Sequence, residues 1–366
     1  MATGAAAGCS RSEPARPRGP YVDVVPIDGA RAIAVRSDDS RSTVELVDRA
    51  QGVRWRVETA RYAGSPKRPG VVAPSPDAVH VRVLSDGHAD LVTLRAADGK
   101  EIASLRLTEG WPASPSGYAL AHVMSVAGAE RSYQLVGDER RGAVVAVSPA
   151  GRATWRHPVA GRIDFAVEAG SQLALVVDGR LQLLDGATGA IASQPAGDVK
   201  VAPSQEGTPY SLTSDLAALV APGTSSHPSP LELLFDPGAG TLTTFDRASG
   251  RRLGSAAWPP GAPPPEPHQY KDGVLWIARP DGLTALDART LRISPVRVQQ
   301  PNSLVTGTDS VVPTLPSPFL SKRLVGPRMA MRVAPVAASA AKAARSLPDS
   351  FFRVSHSRGR GSEVSP

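Results

Sequence analysis

The sequence predicts an all-β fold in which a unit of a few short strands is repeated along the chain. Three observations point to this fold. The 366 residues include 34 Gly and 35 Pro, more turn formers than a helical protein tolerates. Short runs rich in Val, Leu and Thr alternate apolar and polar residues, which is the period of a half-buried strand. A turn of the form Asp-x-x-x-Gly recurs between these runs.

The recurring turn occurs six times. Its first residues are Asp48, Arg95, Ser148, Asp185, Asp246 and Asp287, at spacings of 47, 53, 37, 61 and 41 residues. A period in the forties is typical of blade-like repeats, because helical repeats of that length need amphipathic segments of 3.6-residue period, which the sequence lacks. A single four-stranded blade cannot cover its own apolar faces. The sequence therefore predicts a β-propeller of about six to seven four-stranded blades.

The chemistry of the turn explains its residues. An aspartate at the first position accepts hydrogen bonds from backbone N–H groups two or three residues on. A glycine four positions later adopts a positive φ at little cost, as in a type I turn followed by a bulge. We therefore interpret these residues as structural and not catalytic. They are Asp48, Gly52, Gly99, Gly151, Asp185, Gly189, Asp246, Gly250 and Asp287.

Over roughly residues 25–300 the repeats resemble those of PQQ-like (quinoprotein-type) propellers. The segment "LLDGATG" at 183–189 matches the Leu-Asp-x-x-Thr-Gly hairpin that ends their blades. In that family a tryptophan after the hairpin often docks onto the neighbouring blade. Trp55 and Trp155, which stand three and four residues after their turn glycines, match that position. The resemblance implies a propeller but says little about its ligand.

The quinoprotein dehydrogenases of this family hold their cofactor with an adjacent cysteine pair and calcium, whereas this chain has a single cysteine, Cys9. The resemblance is therefore to the branch that binds no cofactor. The seven histidines are scattered, and "SDGHAD" at 85–90 lacks the acidic closing residue of a calcium loop, so it is interpreted as a hairpin tip. "DPGAG" at 236–240 precedes a strand and is interpreted as a turn. We expect no catalytic, cofactor-binding or metal-ligating residues, and no cofactor.

Cys9 lies in a segment that resembles the processing site of bacterial lipoproteins. Ala6, Ala7 and Gly8 precede it, and the polar, proline-rich residues 10–20 follow as a tether. Only eight residues come before Cys9, and they contain no basic residue and no apolar segment, so the signal is incomplete as written. Two interpretations stay open. Either the true start lies upstream and a lipidated Cys9 anchors the protein in the cell envelope, or this is a flexible end of a cytoplasmic protein.

The net charge of +7 is carried by the C-terminal region. Residues 321–366 contain nine basic and two acidic side chains, so the rest of the chain is neutral. We expect domains at 1–20 (tether), 21–300 (propeller) and 301–366 (a closing strand and then a disordered basic tail). Two segments interrupt the repeat, a loop with one buried strand at 204–230 and a polyproline connector at 258–268. The Ala-rich segment 336–347 predicts a short helix.

The expected function is non-catalytic: a propeller face that binds another protein or acts as a scaffold. If Cys9 is lipidated, the analogy is with the propeller lipoproteins of outer-membrane protein assembly. The alternative is an enzyme, an oxidoreductase or a hydrolase, with a site at the central channel. A third hypothesis is adhesion of the basic tail to a membrane or to nucleic acid, which salt would weaken. No specific nucleic-acid partner is expected.

Overall fold

The computed structural model describes residues 19–38, 41–59, 70–114, 119–124, 131–138, 141–194, 202–203, 208–214, 229–296 and 331–332. These residues contain six four-stranded antiparallel sheets, numbered here 1 to 6 along the chain, each with its strands in sequence order. The predicted all-β propeller is confirmed, and the number of sheets lies at the lower end of the predicted range. Cys9, the tether as far as residue 18 and the predicted helix at 336–347 lie outside the described residues.

Sheets 1 to 3 follow one another between residues 21 and 160. The strands of sheet 1 are Tyr21–Pro26, Arg31–Ser37, Ser42–Asp48 and Gly52–Thr59. Those of sheet 2 are Val71–Ser75, Ala78–Ser85, His88–Arg95 and Glu101–Arg106. Those of sheet 3 are Ala119–Met124, Ser132–Gly137, Arg141–Val147 and Ala153–Ala160.

Sheets 4 to 6 lie between residues 163 and 296. The strands of sheet 4 are Ile163–Ala169, Gln172–Val177, Arg180–Asp185 and Ile191–Ser193. Those of sheet 5 are Tyr210–Ser211, Leu231–Asp236, Thr241–Asp246 and Arg252–Ala257. Those of sheet 6 are Tyr270–Lys271, Val274–Arg279, Gly282–Asp287 and Ile293–Val296, preceded by a 3-10 turn at Pro267–Gln269. A separate two-residue pair joins Ala202–Pro203 to Met331–Arg332.

The sheets are arranged radially, with the first strand of each innermost. The first strands of sheets 1 and 2, 2 and 3, 3 and 4, and 6 and 1 contact each other. In sheet 1 the fourth strand, Gly52–Thr59, is mostly buried. In sheets 2 to 6 most residues of the fourth strand are exposed or half-buried, and Ile191–Ser193 of sheet 4 is exposed at every residue. The fourth strands therefore form the outer rim, as in a propeller.

Apolar side chains from both faces of the strands fill the spaces between neighbouring sheets. Alternation along one strand shows how this arises, because Val44 and Leu46 pack towards sheet 2 while Val47 packs towards sheet 6. Equivalent clusters join sheets 2 and 3, 3 and 4, and 5 and 6. Each sheet thus covers an apolar face of its neighbour.

Sheet 6 packs directly against sheet 1, at what we call the seam. Trp276 and Leu283 of sheet 6 contact Val24 and Ala34 of sheet 1 in one buried cluster. All four strands of sheet 6 come from residues 270–296, so among the described residues this contact is made by side-chain packing and not by a strand that both sheets share. The packed series of sheets runs 5, 6, 1, 2, 3, 4.

A side chain at the glycine of the repeated turn has two costs, backbone strain and steric clash, and two glycines show them separately. Gly189 and Gly250 have φ of 71° and 65°. A Cβ on Gly189 would lie 2.5 Å from the ring of Trp155 in sheet 3, whereas one on Gly250 would meet no atom within 4 Å. We expect Gly250→Ala to lower the free energy of unfolding by about 1 kcal/mol through backbone strain. Gly189→Ala should cost about 2–4 kcal/mol, because the ring must also shift. Denaturant unfolding measures both, and equal losses would contradict this assignment.

Candidate interaction surface

The repeated turns join the third and fourth strands of each sheet, and their aspartates close them. The Oδ1 atom of Asp48 accepts hydrogen bonds from the backbone N–H groups of Ala50 and Gln51 at 2.8 and 3.0 Å. Asp185 is held in the same way, and the hydroxyl and N–H of Thr188 lower its pKa below the usual range. Asp246 and Asp287 make equivalent bonds. These carboxylates are therefore occupied within their own turns.

The fifth position of the turn has a positive φ in almost every sheet. The values for Gly52, Gly99, Gly189 and Gly250 lie between 65° and 80°, and Gly151 of the shorter turn in sheet 3 has 76°. In sheet 6 the position is taken by Leu291, with φ of 56°. A non-glycine residue there is strained, so its side chain must be held by packing.

Trp55 and Trp155 each cover the turn of the next sheet. The Nε1–H of Trp55 donates to the carbonyl of Ala96 at 2.7 Å, and that of Trp155 to the carbonyl of Gly186 at 3.0 Å. Both acceptors are the second residue of their turn, and the rings lie against the turn glycines of sheets 2 and 4. The two tryptophans stand at the same register, because each pairs with the residue two before the start of its own turn.

Sheets 5 and 6 make the equivalent contact, but here the small residue is on the fourth strand and the large residue is in the turn of the next sheet. Gly254 holds the strand position that Trp55 and Trp155 hold in sheets 1 and 3. A Cβ on Gly254 would lie 3.0 Å from the Cδ1 atom of Leu291. The large side chain therefore comes from the turn of sheet 6, which explains why this turn has no glycine.

Arginines concentrate at the turns of sheets 5, 6 and 1. Residues 246–252, 287–292 and 48–54 contain seven arginines against three aspartates, an excess of four positive charges. The turn of sheet 4, residues 185–191, contains one aspartate and no basic residue. We call the seven the arginine arc: Arg49, Arg54, Arg247, Arg251, Arg252, Arg289 and Arg292.

The three turns of the arc lie next to one another. The pKa of Asp246 in sheet 5 is lowered first by Ser249, and also by the charges of Arg251 and of Arg289 in sheet 6. The pKa of Asp287 in sheet 6 is lowered first by the N–H of Thr290, and also by the charge of Arg49 in sheet 1. Each turn is therefore close enough to the next for their charges to interact.

Two arginines of the arc are held by hydrogen bonds or an ion pair, and the other five are not. Arg247 donates to the carbonyls of Ser229 and Thr213 and pairs with Glu232, and Arg49 donates to the carbonyl of Gly29. The other five are exposed and form no ion pair with any residue that the structure describes. They are Arg54, Arg251, Arg252, Arg289 and Arg292. Beside Arg292, the side chain of Ile293 is 41% exposed.

At the opposite ends of the strands, several arginines form ion pairs. Three of those near the hairpins between second and third strands have carboxylate partners. The pairs are Arg141 with Asp138, Arg162 with Asp164, and Arg279 with Asp281, at 3.3, 2.7 and 3.1 Å. Not every exposed arginine at that end is paired, since Arg180 has no ion pair with a described residue. What distinguishes the arc is that five such arginines lie within three neighbouring turns.

A histidine and a serine form a buried pair between sheets 2 and 3. The Nδ1 atom of His80 lies 2.8 Å from the Oγ atom of Ser132, which also accepts a hydrogen bond from Gln134 at 2.8 Å. A nucleophile and its base have this spacing, but all three side chains are fully buried, so a substrate has no access. Burial lowers the pKa of His80 to about 4, partly opposed by the carbonyls of Pro149 and Ser148. The pair contributes to packing.

A second set of buried polar groups lies at the seam. The Nε2 atom of His268 lies 3.2 Å from the Oδ1 atom of Asp23. Within sheet 1, the hydroxyl of Tyr21 and the Nε–H of Arg56 donate to the two oxygens of Glu45, at 2.8 and 2.7 Å. Asp23, Glu45 and Arg56 are buried, so these groups fix strands and sheets to each other.

The segments that resembled ligand sites are hairpins. Asp86 and Gly87, both with positive φ, form a two-residue turn, so the hairpin predicted at 85–90 is confirmed. Asp236 likewise caps the turn that follows it. In the described ranges no three potential metal ligands cluster. Nor does the described part of the chain contain a helix long and apolar enough to span a bilayer. Sequence reasoning missed the arc, although "DRASGRR" and "DARTLR" carry its signal.

The burial of His80 predicts a pH dependence of stability. Its pKa is about 4 in the folded chain and ordinarily about 6.5, so below pH 6.5 the unfolded chain binds the extra proton. The contribution of neutral His80 to the free energy of unfolding is complete above about pH 6.5. It falls by about 3 kcal/mol as the pH is lowered towards 4. We expect His80→Gln to lose less stability than the parent between pH 7 and pH 4 in denaturant titrations. Parallel curves would show that His80 does not titrate in this way.

No family model and no curated protein matches this chain. Among solved structures it is similar to BamB from Moraxella catarrhalis, at 15% identity and a TM-score of 0.34, covering 74% of this chain and 73% of that one. It is also similar to the WD40 domain of coronin from Toxoplasma gondii, at 10% identity and a TM-score of 0.31, covering 76% and 73%. It is similar as well to an uncharacterized protein from Listeria monocytogenes, at 10% identity and a TM-score of 0.38, covering 81% of this chain and 98% of that one. At this level the fold rests on the strand pairing of the chain itself.

Proposed function

We propose that this chain is a non-catalytic propeller that binds another protein, and that the arginine arc is the binding surface. The observation that carries this proposal is the group of five exposed arginines without an ion pair among the described residues, beside the exposed Ile293. Arginine next to apolar area is typical of protein interfaces, because the guanidinium group offers several hydrogen-bond donors in a fixed plane.

The framework beneath the arc supports this function. Asp48, Asp246 and Asp287 close the three turns through backbone hydrogen bonds. Leu291 packs in the cluster between sheets 5 and 6, so the turn of sheet 6 is held against its neighbour. A surface that is ordered before the partner arrives loses less conformational entropy on binding.

We further propose the finer assignments that the sequence favours. The chain belongs to the cofactor-free branch of PQQ-like propellers, acts as a scaffold in the bacterial cell envelope and carries a lipid on Cys9. The contacts of Trp55 and Trp155 with the next sheet support the first assignment. The small residues before Cys9 support the last.

Photo-crosslinking tests the binding surface. Ile293 is replaced by p-benzoylphenylalanine in the full chain, expressed in cells that normally make the protein. We expect a discrete protein adduct, identified by mass spectrometry, that is lost when Arg289 and Arg292 are both replaced by serine, because these residues flank the probe. The identified protein should also bind the purified chain.

The matched control is the same replacement at Ile191. This residue is exposed on the fourth strand of sheet 4 and pairs with Leu184 as Ile293 pairs with Leu286, but it lies outside the arc. Adducts of equal yield and identity at both positions, or none at Ile293, would rule out the arc as the binding surface.

The envelope assignment is tested by mass spectrometry of the N-terminal peptide from the native protein. We expect a peptide that begins at a lipidated Cys9, since processing at this cysteine would remove the preceding residues. A peptide that begins at Met1 with an unmodified Cys9 would refute this assignment. It would leave the proposal for the arc untouched.

A further inference from the structure

We infer that the arginine arc binds an acidic segment of the partner protein in an extended conformation. This inference rests on the proposed function and specifies the chemistry of the partner. It starts from the charge of the arc. Five guanidinium groups stand exposed within three adjoining turns, and the three carboxylates among them already accept hydrogen bonds inside those turns. Carboxylates from outside the chain are therefore the groups that complete this surface.

The spacing of the arginines favours an extended segment. Each of sheets 5, 6 and 1 contributes one or two of the five arginines, and packed sheets lie about 10 Å apart. An extended chain rises about 3.3 Å per residue, so three or four residues span the distance from one turn to the next. A segment with a carboxylate at every third residue thus meets a new turn with each acidic side chain.

The composition of the arc favours a protein over a polyphosphate chain. Asp48, Asp246 and Asp287 stand between the arginines, and their negative charges interrupt any continuous positive track. A nucleic-acid backbone places a phosphate at each step and would meet these carboxylates. The 41% exposed side chain of Ile293 also offers apolar area to a neighbouring side chain.

A peptide of defined sequence tests the inference on the purified full-length chain. The probe is a fluorescent peptide of four Glu-Ser-Ser repeats, which at about 3.3 Å per residue extends about 40 Å. Fluorescence anisotropy should show saturable binding that weakens as salt is raised. Replacing Arg289 and Arg292 together by serine should weaken binding at least about tenfold, since two charge-assisted contacts are lost. A peptide of equal composition with its glutamates in one block should bind more weakly.

The matched control replaces Arg152 and Arg180 together by serine. Both side chains are exposed, lie outside the arc, and form no ion pair with any other described residue. The variant therefore loses the same charge, and we expect less than about a twofold change in affinity for the peptide. Thermal melting of both variants should match that of the parent, which would show that the fold is intact.

Several outcomes would overturn the inference. They are an equal loss of affinity in the two variants, as binding by the basic C-terminal region would give, and no saturable binding of the peptide. Tighter arc-dependent binding of duplex DNA, or of vesicles of phosphatidylglycerol, would assign the arc to phosphate groups instead. A photo-crosslinked partner at Ile293 together with no peptide binding would leave the proposed function standing and remove only this inference.

Discussion

Sheets 1, 2, 3 and 6 of this protein are apolar on both faces, and an apolar face is not stable in water. This constraint determines the architecture, because a strand that alternates Val44 and Leu46 with Val47 needs a neighbour on each side. The need extends to the ends of the series of sheets. Sheet 1 would expose Val24, Ala34 and Val47 if sheet 6 did not cover them. The contact between the first and last sheets is therefore a consequence of the same alternation that joins successive sheets.

At three contacts between neighbouring sheets a large residue meets a small one. Tryptophan in one sheet meets glycine in the next between sheets 1 and 2 and between sheets 3 and 4, whereas Gly254 meets Leu291 between sheets 5 and 6. Each of these contacts has one large and one small residue, and the sheet that supplies the large one changes. Between sheets 2 and 3 both members are small, Gly151 and Ala103, and Thr93 also lies against the glycine. At the other three contacts a second large residue would clash, so the small member is required by the large one. This dependence holds the turns, and with them the arginine arc, at fixed positions.

The sequence was sufficient to predict the central hairpins and insufficient to predict how distant residues meet. The strands before and after each repeated turn were predictable because apolar alternation and turn chemistry are local. The first strands of sheets 5 and 6, Tyr210–Ser211 and Tyr270–Lys271, are too short to show a period. The pairing of His80 with Ser132 joins residues 52 positions apart. The arc requires the turn of sheet 1 to lie beside that of sheet 6, which chain order alone does not indicate.

Charged groups in this protein are divided between two environments, and this division bears on function. Glu45 and Arg56 are buried together, so neutralising the carboxylate would leave a cation in the interior and destabilise the sheet. The exposed arginines of the arc are solvated, and their mutual repulsion is screened, so they cost the fold little. The fold therefore does not require them, and we expect their replacement to leave the stability of the fold nearly constant. A surface of this kind is where the specificity of a rigid propeller can reside, because its shape is set by packing and its charge is free to match a partner.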